Sequence, residues 1–188
     1  RIGRTARVII GLVVVLVIAV GFVVSSFNKA RRMNEAVTAQ WAQVENQLKR
    51  RFDLIPNLVE TVKGYAAQEK TVFLGIAEAR KAYFQAQDVA SKARAAGELE
   101  GALSRLLLLQ ERYPELKSNE NFMKLQDSLE GTENRIAVER KRYNDLVREL
   151  NTYIRTFPGM FFASWAGVKE AQYFDIPEAE TAVPQVKF

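Results

Sequence analysis

The stretch VIIGLVVVLVIAVGFVV, residues 8–24, decides how this chain folds, because it contains no charged residue, no proline and no amide side chain. Ser25, Ser26 and Phe27 extend it before the charge at Lys29. A helix that crosses the hydrocarbon core of a bilayer needs about 20 predominantly apolar residues. Inside lipid every backbone polar group must pair within the protein, and a helix satisfies that requirement by itself. The stretch therefore predicts one transmembrane helix that holds the rest of the chain at a membrane surface.

The apolar stretch is less typical of a cleaved signal peptide or of a buried helix in a soluble core. A cleaved signal peptide has a shorter apolar core, about 7–15 residues, followed by small residues at the cleavage site. Here the core is longer, no A-x-A sequence follows it, and the cysteine that a lipoprotein signal requires is absent. A helix buried in a soluble core is rarely apolar on every side. We therefore expect an uncleaved, single-pass membrane anchor.

The residues that flank the apolar stretch leave its orientation open. Lys and Arg near the two ends of a span set its direction, and three lie on each side: Arg1, Arg4 and Arg7 before it, and Lys29, Arg31 and Arg32 after it. The side of the membrane that holds the remaining chain is thus undetermined. Gly21 and Ser25 form a small-xxx-small pair, a candidate contact between helices in lipid. We favour the simpler explanation, which is the usual abundance of small residues in such helices.

Composition limits the chemistry that this chain of 188 residues can carry out. It contains no cysteine and no histidine, which excludes disulfides, thiolate zinc sites, cysteine nucleophiles, His-containing triads and His metal ligands. A carboxylate-only magnesium or calcium site remains open, although no EF-hand or P-loop sequence occurs. We predict no cofactor, no catalytic residue and no enzymatic activity.

The charge of the chain favours a lipid partner over a nucleic acid. The net charge is +5, and three of the positive charges precede the apolar stretch. The rest of the chain therefore lacks the dense basic surface of a nucleic-acid binder. Anionic lipid headgroups are the simpler partner for the basic residues that flank the span.

Apolar residues recur at steps of three or four along most of the remaining chain, which predicts amphipathic helices. The first continues from the anchor, and Pro56 predicts that a new or sharply kinked helix begins near Asp53, with Asp53 as its N-cap. Gly64 and Gly75 weaken this helix, and they permit either close packing or a second break near residues 68–71. A functional interpretation makes the segment around Pro56 a docking site for an acidic partner or a lipid headgroup, through Arg50, Arg51, Asp53, Pro56 and Asn57. The structural alternative, which we favour, is a capped helix start whose arginines pair with carboxylates of a neighbouring helix.

The second half of the chain predicts further helices and a distinct tail. A turn is expected within residues 85–98, a buried or partner-contacting helix carries the four leucines at 106–109, and Pro114 ends it. Asn119 or Ser118 caps a long helix whose heptad stripe, typical of coiled coils, runs over residues 122–157 and includes Thr132 and Glu139. Pro158 and Gly159 end this helix.

These patterns together predict an all-α protein. We expect an N-terminal segment and transmembrane helix over residues 1–27, and an antiparallel long-helix bundle of three to four helices over 28–157. An aromatic and extended tail is predicted over 158–188, with an extended ending at 183–188. In that tail Phe161, Phe162 and Trp165 are candidates for an interaction site. We favour a hydrophobic lid on the bundle over a membrane-interface or subunit contact.

Two long runs of sequence carry a resemblance to a known family. QWAQVENQLKRRFDLIPNLVETVKGYAAQEK at residues 40–70, and NENFMKLQDSLEGTENRIAVERKRYNDLVRELNTYIRTFPG at 119–159, resemble the two characteristic blocks of the LemA family of bacterial membrane proteins. The resemblance implies an N-terminal transmembrane helix followed by a long-helix antiparallel bundle, with no established enzymatic activity. Gln68 stands where the family often has histidine, so no role of that histidine carries over. The absence of cysteine excludes the family's lipid-anchored form.

Two hypotheses for function follow. The first is a membrane-anchored scaffold or interaction module, assembled into homo-oligomers through the anchor, the leucine-rich helix or the aromatic tail. The alternative is an accessory subunit of a membrane protease or quality-control complex, which the family resemblance suggests by association only.

Overall fold

The computed structural model describes residues 3–176, and within them the chain forms six helices and no strand, which confirms the predicted all-α fold. The helices are α1 (Arg4–Ala66), α2 (Lys70–Gln85), α3 (Val89–Arg112), α4 (Pro114–Lys117), α5 (Glu120–Arg155) and α6 (Gly159–Trp165). The expected three to four long helices correspond to α1, α2, α3 and α5, since α4 and α6 have only four and seven residues. The expected extended ending at 183–188 lies outside the described residues.

Helix α1 does not break at Pro56, so the prediction of a new helix with Asp53 as its N-cap is wrong. Pro56 lies inside the helix, and both residues are exposed to solvent. A proline in a helix interior costs about 3 kcal/mol, because its ring removes one backbone hydrogen bond and crowds the preceding turn. On the solvent-exposed side, water can hydrogen-bond to the carbonyl group that the proline leaves unpaired.

Packing on the opposite side of α1 explains why the helix continues through Pro56. The side chains of Phe52, Ile55, Leu58 and Val62 are all buried and recur at helical spacing. Burying one such side chain contributes about 1.5–3 kcal/mol. Four of them outweigh the penalty of one proline, provided that the helical spacing holds them on a single face.

Most other helix ends lie where the sequence predicts them. Helix α1 ends at Ala66 and α2 begins at Lys70, so the alternative of a second break is confirmed. The turn predicted within residues 85–98 separates α2 from α3, and Oδ1 of Asp88 caps α3 by accepting from the Ser91 amide at 2.9 Å. At the start of α5, Oδ1 of Asn119 accepts from the Phe122 amide at 2.9 Å, as a capping asparagine does.

The described residues divide into two compact units. Unit 1 comprises residues 3–40 and 145–171, and unit 2 comprises residues 41–144 and 172–176. In unit 2, α1 and α5 are antiparallel, because partners along α1 meet residues progressively earlier in the chain: Trp41 with Tyr143, Arg51 with Glu133 and Tyr65 with Asn119. The core of unit 2 comes from all its long helices and includes Leu48, Phe52, Ile76, Tyr83, Leu99, Leu106, Phe122 and Ile136.

In unit 1 the aromatic segment after Pro158 folds as helix α6, a helix that the sequence analysis did not predict. Its end is a Schellman motif: the Val168 amide donates to the Ala163 carbonyl at 2.9 Å, and the Gly167 amide donates to the Ser164 carbonyl at 3.0 Å. Gly167 has φ +69°, a conformation that a residue with a Cβ rarely adopts. The glycine therefore defines where α6 ends.

Helix α6 packs tightly on the end of α5 at Gly159. A Cβ atom at Gly159 would lie 2.2 Å from the backbone oxygen of Tyr153 and 3.0 Å from its ring. A backbone oxygen cannot move aside as the end of a flexible side chain can. Only glycine therefore permits α6 to start this close to α5.

Replacing Gly159 with alanine is expected to destabilise unit 1 by about 1–3 kcal/mol, the usual range for overpacking. The measurement is thermal unfolding of the full chain in detergent, followed by circular dichroism. Gly131→Ala is the matched control, because the same atom added at Gly131, in the interior of α5, meets nothing within 4 Å. That control should stabilise α5 by up to about 1 kcal/mol, and a stabilised Gly159 variant would contradict the tight contact.

Candidate functional site

The apolar stretch of α1 is the most unusual surface in the described part of the chain. Among residues 3–176, α1 is the one helix long and apolar enough to cross a membrane, and its most apolar 18-residue window has no buried residue. The exposed fractions of Val14 and Ile18, for example, are 50% and 66%. The core helix of a soluble protein would bury such side chains within the fold.

Water is a poor environment for this surface. Moving a Val, Leu or Ile side chain from water into an apolar medium is favourable by about 1.5–3 kcal/mol. The charge-free residues from Val8 to Asn28 extend for roughly 30 Å as a helix, which matches the thickness of the hydrocarbon core of a bilayer. Both the length and the exposure of the stretch suit insertion into lipid.

Basic side chains surround the point at which the apolar stretch ends. Lys29, Arg31 and Arg32, which we call the basic collar, are all exposed. The Lys29 ammonium lies 5.1 Å from the centre of the Tyr153 ring, and the Arg31 guanidinium lies 5.8 Å from the centre of the Phe27 ring. These cations keep their solvent exposure while they rest on aromatic rings. Their position suits contact with lipid phosphates.

The predicted helix-contact pair in the span is accessible. Gly21 and Ser25 are both exposed, and they lie one turn apart on the same side of α1. A Cβ built on Gly21 meets nothing within 4 Å. This side of α1 therefore has room for a second helix, and the predicted contact itself stays a prediction.

Of the five residues predicted as a docking site around Pro56, Arg51 is the one that the structure does not leave exposed. Arg50, Asp53, Pro56 and Asn57 are exposed, whereas the Arg51 side chain is only 12% exposed and forms an ion pair with Glu133 of α5. The pairing of this arginine with a carboxylate of a neighbouring helix is what the structural alternative expected. The capped helix start that accompanied that expectation is absent, because α1 is continuous here.

A charged cluster surrounds Arg51 in unit 2. Burial raises the pKa of the Glu100 carboxyl, the negative charge of Glu133 raises it further, and the charges of Arg51 and Arg140 oppose the increase. The Nε atom of Arg51 is buried without a hydrogen-bond partner. The cluster is a partly compensated set of charges that links α1, α3 and α5, and its contacts are those of a structural ion-pair network.

Replacing Glu100 with glutamine is expected to stabilise the chain at about pH 7. The folded state holds the Glu100 proton more tightly than the unfolded state, so ionisation of this group weakens the fold as the pH rises through the raised pKa. The gain should disappear in acid, where Glu100 is protonated in both states. Thermal unfolding at both pH values measures the difference.

Glu130→Gln is the control for this prediction, because Glu130 is an exposed glutamate of unit 2. It should change stability little at either pH. Destabilisation by Glu100→Gln at both pH values would show instead that Arg51 and Arg140 outweigh burial, and that the carboxylate form is favoured.

The structure places the aromatic candidates Phe161, Phe162 and Trp165 on α6, next to the end of the apolar stretch. The Phe162 ring meets the Phe22 ring edge to face, with centroids 5.9 Å apart. The Trp165 ring packs against the Phe27 ring, with centroids 5.4 Å apart. All three candidates therefore belong to the part of unit 1 that adjoins the predicted membrane boundary.

Two asparagines of α5 have roles that the sequence analysis missed. In unit 1, Nδ2 of Asn151 donates to the Ala171 carbonyl and Oδ1 accepts from the Ala171 amide, both at 2.9 Å. In unit 2, Asn144 binds the carbonyl and amide of Phe174 in the same way, at 3.1 and 2.9 Å. The available signal was the placement of two asparagines seven residues apart in a helix interior, where asparagine is unfavourable.

Within residues 3–176 no group of three or more Asp, Glu, His or Cys side chains is arranged to hold a metal ion. Several of the polar side chains described above, among them Arg51, Asn144 and Asn151, bind another side chain or the backbone. The arrangement suits contact with lipid at the apolar stretch and the packing of helices in unit 2.

Known sequences are similar to this chain over most of its length. A sequence profile described as the LemA family matches residues 40–188. Magnetosome protein MamQ 2 of Paramagnetospirillum magneticum is 26% identical over 184 residues, which cover 84% of this chain and 68% of the relative. Magnetosome protein MamQ 1 of the same organism gives the same values. Magnetosome protein MamQ of Magnetospirillum gryphiswaldense is 26% identical over 189 residues, which cover 85% of this chain and 70% of the relative.

Proposed function

Because this chain belongs to the LemA family, we propose that it is a non-enzymatic scaffold or interaction protein that α1 anchors in the bacterial plasma membrane. The observation that carries the proposal is the exposed apolar surface of α1, none of whose most apolar window is buried within the protein. A bilayer removes that whole surface from water without any further protein partner.

The second part of the proposal concerns what the chain presents at the membrane. Unit 2 contains a large apolar core, and several of its charged side chains are engaged in ion pairs such as Arg51 with Glu133 and Lys92 with Glu45. These contacts serve the packing of helices. They support a protein that presents a stable helical surface to other molecules rather than one that transforms a substrate.

We extend the proposal to assembly of several copies through the membrane helix. The accessible pair Gly21 and Ser25 supports this extension, since small residues let two helices approach closely in lipid. Native mass spectrometry of protein extracted gently from membranes tests it. A defined homo-oligomer agrees with the proposal, whereas a monomer contradicts it. A one-to-one complex with another membrane protein would favour the accessory-subunit alternative.

The anchor itself is tested by expressing the full chain in bacteria and washing the membranes with high salt and then with alkaline carbonate. Both washes remove proteins that bind membranes by charge alone. We expect the chain to stay in the membrane pellet and to float with vesicles in a density gradient. Recovery of most of the chain in the carbonate supernatant would contradict the proposed anchor.

A further inference from the structure

We propose that helix α6 is a second membrane-contacting element, which lies in the interfacial layer of the same bilayer that α1 crosses. The inference rests on the proposed function, because it takes the apolar stretch of α1 as the membrane span. Its occupant is lipid: the acyl chains near the headgroups, and the headgroups themselves.

Helix α6 meets α1 near the end of the apolar stretch. Phe162 contacts Phe22, and Trp165 contacts Phe27. The two α1 residues are five positions apart, which corresponds to about 7–8 Å along a helix axis. Phe27 lies at the end of the charge-free stretch, and Phe22 lies within it. Helix α6 therefore covers the depth range of about 5–10 Å over which interfacial helices insert.

Helix α6 has an apolar side that the protein leaves uncovered. Gly159 and Ala163 are buried and form the side of α6 that faces the protein. Phe161 and Trp165 lie one turn apart on the opposite side, with exposed fractions of 62% and 69%. The neighbouring Phe157 is 80% exposed, and the centroids of its ring and the Phe161 ring are 6.1 Å apart. Such a concentration of exposed aromatic side chains marks a contact surface.

Positive charge adjoins this surface, and that charge favours lipid over a protein partner. The basic collar begins two residues after Phe27, and all three of its side chains are exposed. Tryptophan next to the end of an apolar span, with Lys and Arg just beyond it, is the usual arrangement at the boundary between membrane and water. The aromatic surface is also continuous with the apolar stretch of α1 through Phe22 and Phe27.

The fold of unit 1 already holds α6 in this position. Arg155 and Glu170, which flank α6 on its two sides, form a bidentate ion pair at 2.8 and 2.6 Å. Asn151 holds the backbone of Ala171 after the helix. The Tyr153 hydroxyl donates to the Ser26 carbonyl at 3.0 Å and so joins α5 to α1. The aromatic surface therefore needs little ordering when it meets lipid.

The chain offers an internal control for a fluorescence test, because it contains two tryptophans. Trp165 lies on α6, whereas Trp41 is half-buried in unit 2 and packs against Tyr143 and Phe174. The full-length variant Trp41→Phe reports on Trp165 alone, and Trp165→Phe reports on Trp41 alone. Both variants are reconstituted into vesicles of phosphatidylcholine and phosphatidylglycerol, and flotation establishes that each is bound.

The quenchers are phosphatidylcholines brominated either close to the headgroup or near the end of the acyl chain. We expect the Trp41→Phe variant to emit at a shorter wavelength in vesicles than a water-exposed tryptophan does. It should lose most of its emission to the lipid brominated close to the headgroup, and less to the lipid brominated near the chain end. The Trp165→Phe variant should lose little emission to either lipid.

Two results would overturn the inference. If vesicle-bound Trp165 escapes both brominated lipids and is quenched by aqueous iodide as readily as free tryptophan, α6 faces water. If it escapes both the brominated lipids and iodide, a protein surface covers it. Either result leaves the anchor intact as long as the vesicles still float with the protein. Failure to float would instead contradict the proposed function itself.

Discussion

Replacing both Val14 and Ile18 with arginine is expected to release the chain from the membrane fraction. The two side chains lie one turn apart near the middle of the apolar stretch, and both are exposed. A charged residue at the centre of a membrane helix costs about 2.5–3.5 kcal/mol on insertion scales. Two of them should therefore cost about 5–7 kcal/mol, enough to remove most of the advantage of insertion.

The measurement is the share of the chain that remains in the pellet after alkaline carbonate. The control is the double variant Val14→Leu and Ile18→Leu, which keeps the same positions apolar and should be retained like the original chain. Circular dichroism of the released arginine variant checks that the remaining helices are folded. Full retention of the arginine variant would mean that something other than this stretch holds the protein in the membrane.

Replacing Phe52 with alanine is expected to lower the free energy of unfolding by about 3–5 kcal/mol, the range for deleting a buried aromatic ring. The Phe52 side chain is only 1% exposed. The centroid of its ring lies 4.2 Å from the centroid of the Tyr83 ring and 5.5 Å from that of the Phe84 ring, and both partners are on α2. Truncation therefore leaves a cavity at the contact between α1 and α2, four residues before Pro56.

Denaturant unfolding of the full chain in detergent, in a Trp165→Phe background so that the emission comes from Trp41 in the same unit, measures this change. Arg50→Ala is the control, since Arg50 is an exposed residue close to Phe52 in the chain. It should shift stability by no more than about 0.5 kcal/mol. A small effect of Phe52→Ala would show that this contact does not stabilise unit 2, and that another interaction keeps α1 helical across Pro56.

Where local chemistry decides a structure, the sequence was enough to predict it. A cap at Ser118 or Asn119 was predicted, because a cap needs only a side-chain oxygen within reach of the next backbone amides, and Asn119 provides it. The end of α3 before Pro114 follows from the ring of the proline and its effect on the residue before it. The family resemblance likewise depends on runs of residues, and the profile match over residues 40–188 confirms it.

The predictions that were wrong or missing concern contacts between segments far apart in the chain. Pro56 was expected to start a new or sharply kinked helix, but α1 is continuous there, because the burial of Phe52 and Ile55 outweighs the local penalty of the proline. Helix α6 was not predicted within the aromatic tail, because a seven-residue helix has too few turns to be stable by itself. The two hydrogen bonds between the Asn151 side chain and the Ala171 backbone were missed, because Ala171 lies on a segment with no helical periodicity of its own.

The sequence by itself determined that this protein is helical and that residues 8–24 form a charge-free helix suited to a bilayer. Both conclusions depend on composition and on the spacing of residues within one segment. These properties are the same whatever the rest of the chain does. Only the tertiary structure decided that α1 continues through Pro56, that Arg51 pairs with Glu133, and that α6 adjoins the end of the apolar stretch. Those features depend on which distant side chains meet, and burial and pairing between them can reverse a local preference of a few kcal/mol.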